Sequence, residues 1–176
     1  MSQLSGEVLE IGAGTGLNLP HYERATRVVA VEPDRVYTRR LEVRAREAKV
    51  PVAVVSCRAE TLPFADASFD HAVTSLALCS VDDLDGSLRE IRRVLRPGGS
   101  LVFLEHVRGE GRVARWQNRL TPLQRRIGGN CHLNRDTPAA IERAGFEMDE
   151  LERFDLAGGH ALTKPGAQGV ATKTSS

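Results

Sequence analysis

Three glycines spaced two residues apart, Gly12, Gly14 and Gly16, follow a short apolar run that carries one charge, Glu10. Glycine weakens strand and helix interiors, so this density marks a tight turn or a close backbone approach to something bound. A second apolar run ends in Glu32, about 20 residues after Gly12, the separation at which a strand-end carboxylate grips ribose hydroxyls. Backbone N–H groups at a glycine turn suit an anionic group, and the carboxylate suits a diol, so the pattern points to nucleotide chemistry. A dinucleotide fingerprint would need its third glycine at position 17, which is Leu17.

Strand, glycine turn and helix must position these residues. Val8 to Ile11 reads as the first strand and Leu17 to Arg24 as the helix after the turn, with Pro20 near its start. Arg27 to Glu32 reads as a parallel strand buried on both faces. Pro33-Asp34 opens a helix to Lys49, with Val36, Tyr37, Leu41, Ala45 and Ala48 on one face. Val52 to Ser56 and Phe69 to Ser75 are the next strands. Asp82 and Asp83 start a helix in which Leu84, Leu88, Ile91 and Leu95 recur with helical period, and Arg96-Pro97-Gly98-Gly99 stops it.

Leu101 to Leu104 is a fifth strand, ending at Glu105-His106. The β-α alternation then breaks. Arg112 to Ile127 is basic and amphipathic, with Val113, Trp116, Leu120 and Ile127 near one face, and Pro122 predicts two short helices there. Thr137-Pro138 starts another helix, which Gly145 ends. Phe146 to Phe154 and His160 to Thr163 are the last candidate strands. The expected organisation is one domain over 1–164 and a disordered tail over 165–176.

With 176 residues, 41% hydrophobic and 27% charged, the chain suits one soluble domain, and its net charge of +1 argues against a dedicated nucleic-acid partner. Cys57, Cys79 and Cys131 lack the spacing of a disulfide framework or zinc site, and no acidic metal cluster stands out. No signal peptide and no apolar run of about 18 residues is present, so a cytoplasmic location is expected.

Gly12-Ala13-Gly14-Thr15-Gly16, Glu32, Ala59-Glu60 and Leu95-Arg96-Pro97-Gly98-Gly99 together resemble the class I S-adenosylmethionine (SAM) methyltransferases. ETLPFADASFD is similar to the loop before strand four in the quinone-biosynthesis branch. SLALCSVDD, LEHV and GGNCHLNRDTPAAIERAGF are more similar to the methyltransferase-like family of small-molecule thiol S-methyltransferases, and the resemblance spans Val8 to Lys164. It implies an α/β, Rossmann-like sandwich with a mostly parallel seven-stranded sheet and an antiparallel last strand. Relatives usually carry helices before the glycine turn that cover SAM and shape the acceptor pocket, and Met1 to Gly6 leaves no room for one.

The implied cofactor is SAM, leaving as S-adenosylhomocysteine, and no metal is needed. Gly12, Ala13, Gly14 and Gly16 would face its methionine end, Glu10 the ammonium group directly or through water, Glu32 with Pro33 the ribose, and Ala59-Glu60 the adenine. Ser75 and Leu76, at the carboxyl end of strand four, would flank the sulfonium. His106 is the candidate base or acceptor-orienting residue, with Glu105, Cys131, His132 and His160 as lesser candidates. The expected reaction is methyl transfer from SAM to a small-molecule acceptor, a thiol first, with O- or C-methylation of a phenol or quinone precursor second. A SAM-binding module inactive for lack of an N-terminal cover is the reading from a different class, and an NAD-linked oxidoreductase the outside case. Residues 112–127 carry two expectations, peripheral membrane contact or an ordinary cover with solvated arginines.

Overall fold

The computed structural model describes residues 1–174. Seven strands form one sheet: β1 (Ser5–Ile11), β2 (Arg24–Val31), β3 (Val52–Val55), β4 (Phe69–Ser75), β5 (Leu95–His106), β6 (Phe146–Asp155) and β7 (Pro165–Lys173). Their order is β3-β2-β1-β4-β5-β7-β6. β1 to β5 pair in parallel, and β7 runs antiparallel to both of its neighbours. The sequence direction reverses between β1 and β4, and open α/β sheets bind ligands at the carboxyl ends beside such a switch point.

The helices are α1 (Arg35–Arg46), α2 (Leu84–Val94), α3 (Gly111–Ile127) and α4 (Thr137–Arg143). α1 covers one face of the sheet, where Leu41 packs with Val8, Val28, Ala30 and Val73. α2 and α4 cover the other, where Leu88, Ile91 and Ile141 pack with Leu9, Val29 and Phe103. β2 is apolar throughout its inner half because both faces are covered: Val28 to Val31 are all essentially inaccessible. Asp34 and Asp83 cap α1 and α2 by accepting from Val36 N and Gly86 N, which fixes where each helix leaves the sheet.

Several expectations are corrected. Leu17 to Arg24 is no α-helix but one 3-10 turn, Leu19–His21, because Arg24 already pairs with Ser5 at the start of β2. Val36 and Tyr37 are exposed, so Leu41 anchors α1 without them. β5 begins at Leu95, six residues earlier than expected: Leu95 pairs with Phe69, the Pro97–Gly99 segment bulges, and pairing resumes at Ser100.

Pro122 does not divide α3. Its ring faces solvent, and the Thr121 hydroxyl donates to the Gln117 carbonyl at 2.7 Å within an unbroken helix. The buried face of α3 is Ala114, Gln117 and Thr121, held by Gln117 bonds to Gly109 N, Val107 O and Leu162 O. Trp116 and Ile127 therefore point outward, with the Arg119 guanidinium 5.8 Å over the indole. His160 to Thr163 is a turn, and the last strand is β7, which lies inside the sheet; within the expected tail only residues 175–176 fall outside the described residues. No helix among the described residues is long and apolar enough to cross a membrane.

Candidate active site

A cleft of about 680 Å³ opens at the carboxyl ends of β1, β2 and β4, within the range typical of small-molecule sites. Its floor is the glycine turn. Gly12 and Gly14 have φ of +66° and +55°, conformations that side chains disfavour. A Cβ on Gly12 would also sit 2.5 Å from the Ala77 methyl. The turn is fixed from below by Ala13 N donating to Val31 O at 3.0 Å, and from α1 by Arg44, whose Nη1 donates to the Thr15 carbonyl and hydroxyl at 2.6 and 2.7 Å. Rigid backbone and absent side chains leave room for a ligand to approach the chain closely.

Glu32 stands at one wall, 6% exposed. Its Oε2 accepts from Gly14 N at 2.8 Å and its Oε1 from Asp34 N at 2.9 Å, so the carboxylate joins the glycine turn to the start of α1. Each oxygen accepts a single bond and so keeps accepting capacity for a further donor, what two neighbouring hydroxyls would need. Pro33, Tyr37, Ala59 and Glu60 continue that wall. Glu60 is itself engaged: Oε1 accepts from Asp82 N at 2.9 Å and Asp83 N at 3.3 Å, and Arg58 Nε lies 3.5 Å from Oε2. Desolvation would raise its pKa, but these backbone donors and Arg58 outweigh that and hold it below the usual value.

Ser75 and Leu76 form the opposite wall. Leu76 is 49% exposed with φ +54°, a strained backbone for a branched residue, held by Leu76 N donating to Leu104 O at 2.8 Å. Glu105 supports the same loop from inside. Fully buried, it accepts from Ala77, Leu78 and Cys79 N at 3.1 to 3.2 Å. Burial pushes its pKa up to about 7 against the lowering effect of those bonds.

Glu10, Ala13 and Gly16 do not line the cleft. Glu10 lies behind the glycine turn, 1% exposed, accepting from Asn18 Nδ2 at 2.9 Å. Burial raises its pKa to about 7 against the lowering effect of the Asn18 amide and the buried Tyr22 hydroxyl beside it. A buried carboxylate to which no cationic side chain among the described residues is bonded fits a cationic group above it. His106 is the larger departure. It is 4% exposed and outside the cleft, with Nε2 3.0 Å from Leu162 O and Nδ1 4.0 Å from Cys131 Sγ, so it is placed to address Cys131 and not a ligand in the cleft.

Sequence reasoning missed Tyr37, Arg58 and the Gly128–Asn130 segment, all of which line the cleft. Asn130 has φ +64° and donates from Nδ2 to Ser80 O and to Asp82 Oδ1, both at 2.8 Å, closing the rim from beyond α3. The run Gly128-Gly129-Asn130 carried a signal, since these residue types tolerate left-handed backbone.

A family model described as a methyltransferase domain matches residues 9–103, from β1 into β5. The chain belongs to the SAM-dependent methyltransferase family. Its cofactor is SAM, which the glycine turn, the Glu32 carboxylate and the buried Glu10 carboxylate suit. Among curated members, the chain is 34% identical over 171 residues to human thiol S-methyltransferase TMT1A, covering 94% of this chain and 70% of that one. It is 37% identical over 150 residues to rat thiol S-methyltransferase TMT1B, covering 82% and 62%. To the demethylmenaquinone methyltransferase of Thermobifida fusca it is 39% identical over 104 residues, covering 57% and 44%. The chain thus spans less than two thirds of the second and third relatives' length.

A SAM-dependent methyltransferase from Methanosarcina mazei shares the fold at TM-score 0.77 and 23% identity, covering 97% of this chain and 93% of that one. The [4+2]-cyclase SpnF does so at 0.78 and 22%, covering 98% and 77%. A cyclase on the same scaffold shows that the methyltransferase fold alone does not fix the reaction.

Proposed function

We propose that the chain transfers the methyl group of SAM to a small-molecule thiol. The observation that carries this reading is its 34% identity to human TMT1A, a thiol S-methyltransferase, over nearly the whole chain. When bound, SAM supplies a methyl group already activated by its sulfonium, so the protein's part is alignment and exclusion of water. Glu32 accepts from the ribose hydroxyls, the backbone at Gly12 and Gly14 receives the methionine end, and Glu10 supplies negative charge beneath its ammonium group. Ala59 and the Arg58-braced Glu60 bound the adenine end. Leu76 and Ser75, on the opposite wall, would flank the methyl group, where the exposed Leu76 side chain would offer an apolar contact to the acceptor. A thiol ionises near pH ~8.5, so roughly a few per cent is already the strongly nucleophilic thiolate at pH 7 without a dedicated base, in keeping with a cleft that His106 does not enter.

The test offers the protein SAM carrying a deuterated methyl group together with a thiol panel and a phenol panel. Deuterated thioethers in the mass spectrum are the expected result. Methylation of phenols alone would overturn the thiol reading in favour of an O- or C-methyltransferase. Binding of SAM with no transfer to any acceptor would favour a SAM-binding module.

A further inference from the structure

Behind the cleft rim, two thiols and a histidine meet without a role in the transfer just described. Cys131 follows Asn130, and Cys79 lies on the loop after β4 whose Leu76 and Ser80 line the cleft. Each thiol acts on the other's ionisation, which sets the two side chains side by side. Their chain segments are tied together by His132 N donating to Cys79 O at 2.8 Å and by the Asn130 bond to Ser80 O. His106 Nδ1 faces Cys131 Sγ at 4.0 Å while its Nε2 is held by Leu162 O, a carbonyl that Gln117 Nε2 also fixes at 2.9 Å. A thiol, a base and a group orienting the base form the arrangement that activates a cysteine nucleophile. Cys131 is partly exposed, whereas Cys79 is buried.

The electrostatics are asymmetric. The neighbouring Cys79 lowers the Cys131 thiol, and although burial opposes it, the His106 contact and the charges of His106 and His132 help hold it at about 5. Cys79 is pushed far up by the neighbouring Cys131, by burial and by Glu105. His106 would be lowered by burial, but Cys131 and the Leu162 carbonyl outweigh that and hold it raised. Arg135, half-buried with Nη1 2.7 Å from Leu78 O, adds positive charge near both sulfurs. Cys131 is thus the thiol favoured as thiolate, with His106 beside it to hold the proton, and Cys79 the one kept protonated.

We propose that Cys131 and Cys79 form a thiol–disulfide exchange site that reduces small-molecule disulfides, with Cys131 attacking and Cys79 resolving. In the first step the Cys131 thiolate attacks one sulfur of R–S–S–R. The substrate S–S bond breaks, and the departing R–S⁻ takes the proton of His106, leaving a Cys131–S–S–R mixed disulfide. In the second, Cys79 Sγ attacks Cys131 Sγ, and the second R–S⁻ leaves with the Cys79 proton. One disulfide has become two R–SH, and the two cysteines have become a disulfide, which an external dithiol such as dithiothreitol reduces again. The exchange stands independently of the methyl acceptor. Only its link to the cleft, where the released R–SH would be the methyl acceptor, rests on the thiol reading.

Pre-reduced protein is mixed at pH 6 with 2,2′-dithiodipyridine, without SAM, and followed by thiopyridone absorbance, intact mass and peptide mapping. A thiol ionising near 5 is almost all thiolate there; offset by its weaker intrinsic nucleophilicity, it should react on the order of tenfold faster than a free cysteine. Wild type should release two thiopyridones in its fast phase and lose two hydrogens, with Cys79 and Cys131 joined. Cys79→Ser should release one and keep the adduct on Cys131. Cys131→Ser and Cys131→Ala should lose the fast phase, and His106→Gln should slow it, while Cys57→Ser retains it. A fast phase that survives loss of Cys131, or wild-type adducts mapping first to Cys57, overturns the site. A mixed disulfide that persists on wild-type Cys131 overturns the role of Cys79. Because no methyl transfer is measured, a failure here is distinguishable from a failure of the thiol acceptor reading.

Discussion

Removing the Glu32 carboxylate is the sharpest perturbation of the cofactor site. Glu32 is 6% exposed and already accepts from Gly14 N and Asp34 N, so its orientation is set before any ligand arrives. Two hydroxyls of a ribose would then each donate to a charged acceptor that has no reorganisation left to make. A hydrogen bond to a charged group contributes about 1.5 kcal/mol or more, so losing two costs about 3 kcal/mol. That corresponds to roughly a hundredfold rise in the SAM dissociation constant. Glu32→Ala, titrated with SAM and with S-adenosylhomocysteine by calorimetry, should weaken both ligands by the same factor, because the ribose is common to them. Circular dichroism and a denaturant midpoint would establish that the variant is folded. A folded variant whose dissociation constants stay within about threefold of wild type would refute the ribose assignment.

Glu10→Gln should show a pH-dependent stability difference. The folded-state pKa of Glu10, about 7 against an ordinary 4.5, means its neutral form favours the fold, and that contribution is lost as pH rises through 7. Without cofactor, the variant should match wild type near pH 5 and exceed it by up to about 3 kcal/mol near pH 8.5, read from urea midpoints. Bound SAM should narrow that gap, since a cation above Glu10 stabilises its charged form. Gly12→Ala should destabilise the fold by about 2 kcal/mol in urea melts and weaken SAM binding, since its Cβ meets Ala77 and its φ is positive. Leu76→Gly relieves a positive φ, so thermal melts should show stability within about 1 kcal/mol of wild type. Its methyl-transfer rate should nonetheless fall, because the apolar contact beside the methyl group is gone.

The floor and one wall of the cleft were legible because they are built from backbone and from strand ends. Gly12, Gly14 and Glu32 announce themselves by spacing, and the β1-turn-β2 unit that places them has little freedom once both strands are buried. Glu10 stood out as an acid beside the glycines, but its position was not legible, since being one residue from the end of β1 sets it behind the turn. His106 misled for a related reason. A histidine at the end of β5 can face the cleft or turn beneath it, and that choice is made by Leu162 and Gln117, more than ten residues away in the chain and without a motif.

The C-terminal third was the least legible. Pro165–Lys173 is rich in glycine, alanine and threonine, which reads as a tail when it stands alone. In the sheet it is shielded by β5 and β6 on both edges, and a Cβ on Gly169 would lie 2.9 Å from the Phe103 ring, so small residues are what this strand requires. Pro122 likewise marks a helix break only where the chain must turn; on the solvent side of α3, with Ala114, Gln117 and Thr121 buried on the other, the helix runs through.

The central claim is that the cleft at the carboxyl ends of β1, β2 and β4 holds SAM. A crystal structure of the protein grown with S-adenosylhomocysteine tests it most directly. The account predicts the ribose hydroxyls on the Glu32 carboxylate, the adenine against Ala59 and Glu60, and the sulfur beside Leu76. Ligand density elsewhere on the sheet, or a ribose more than about 4 Å from Glu32, beyond any hydrogen bond, would contradict it.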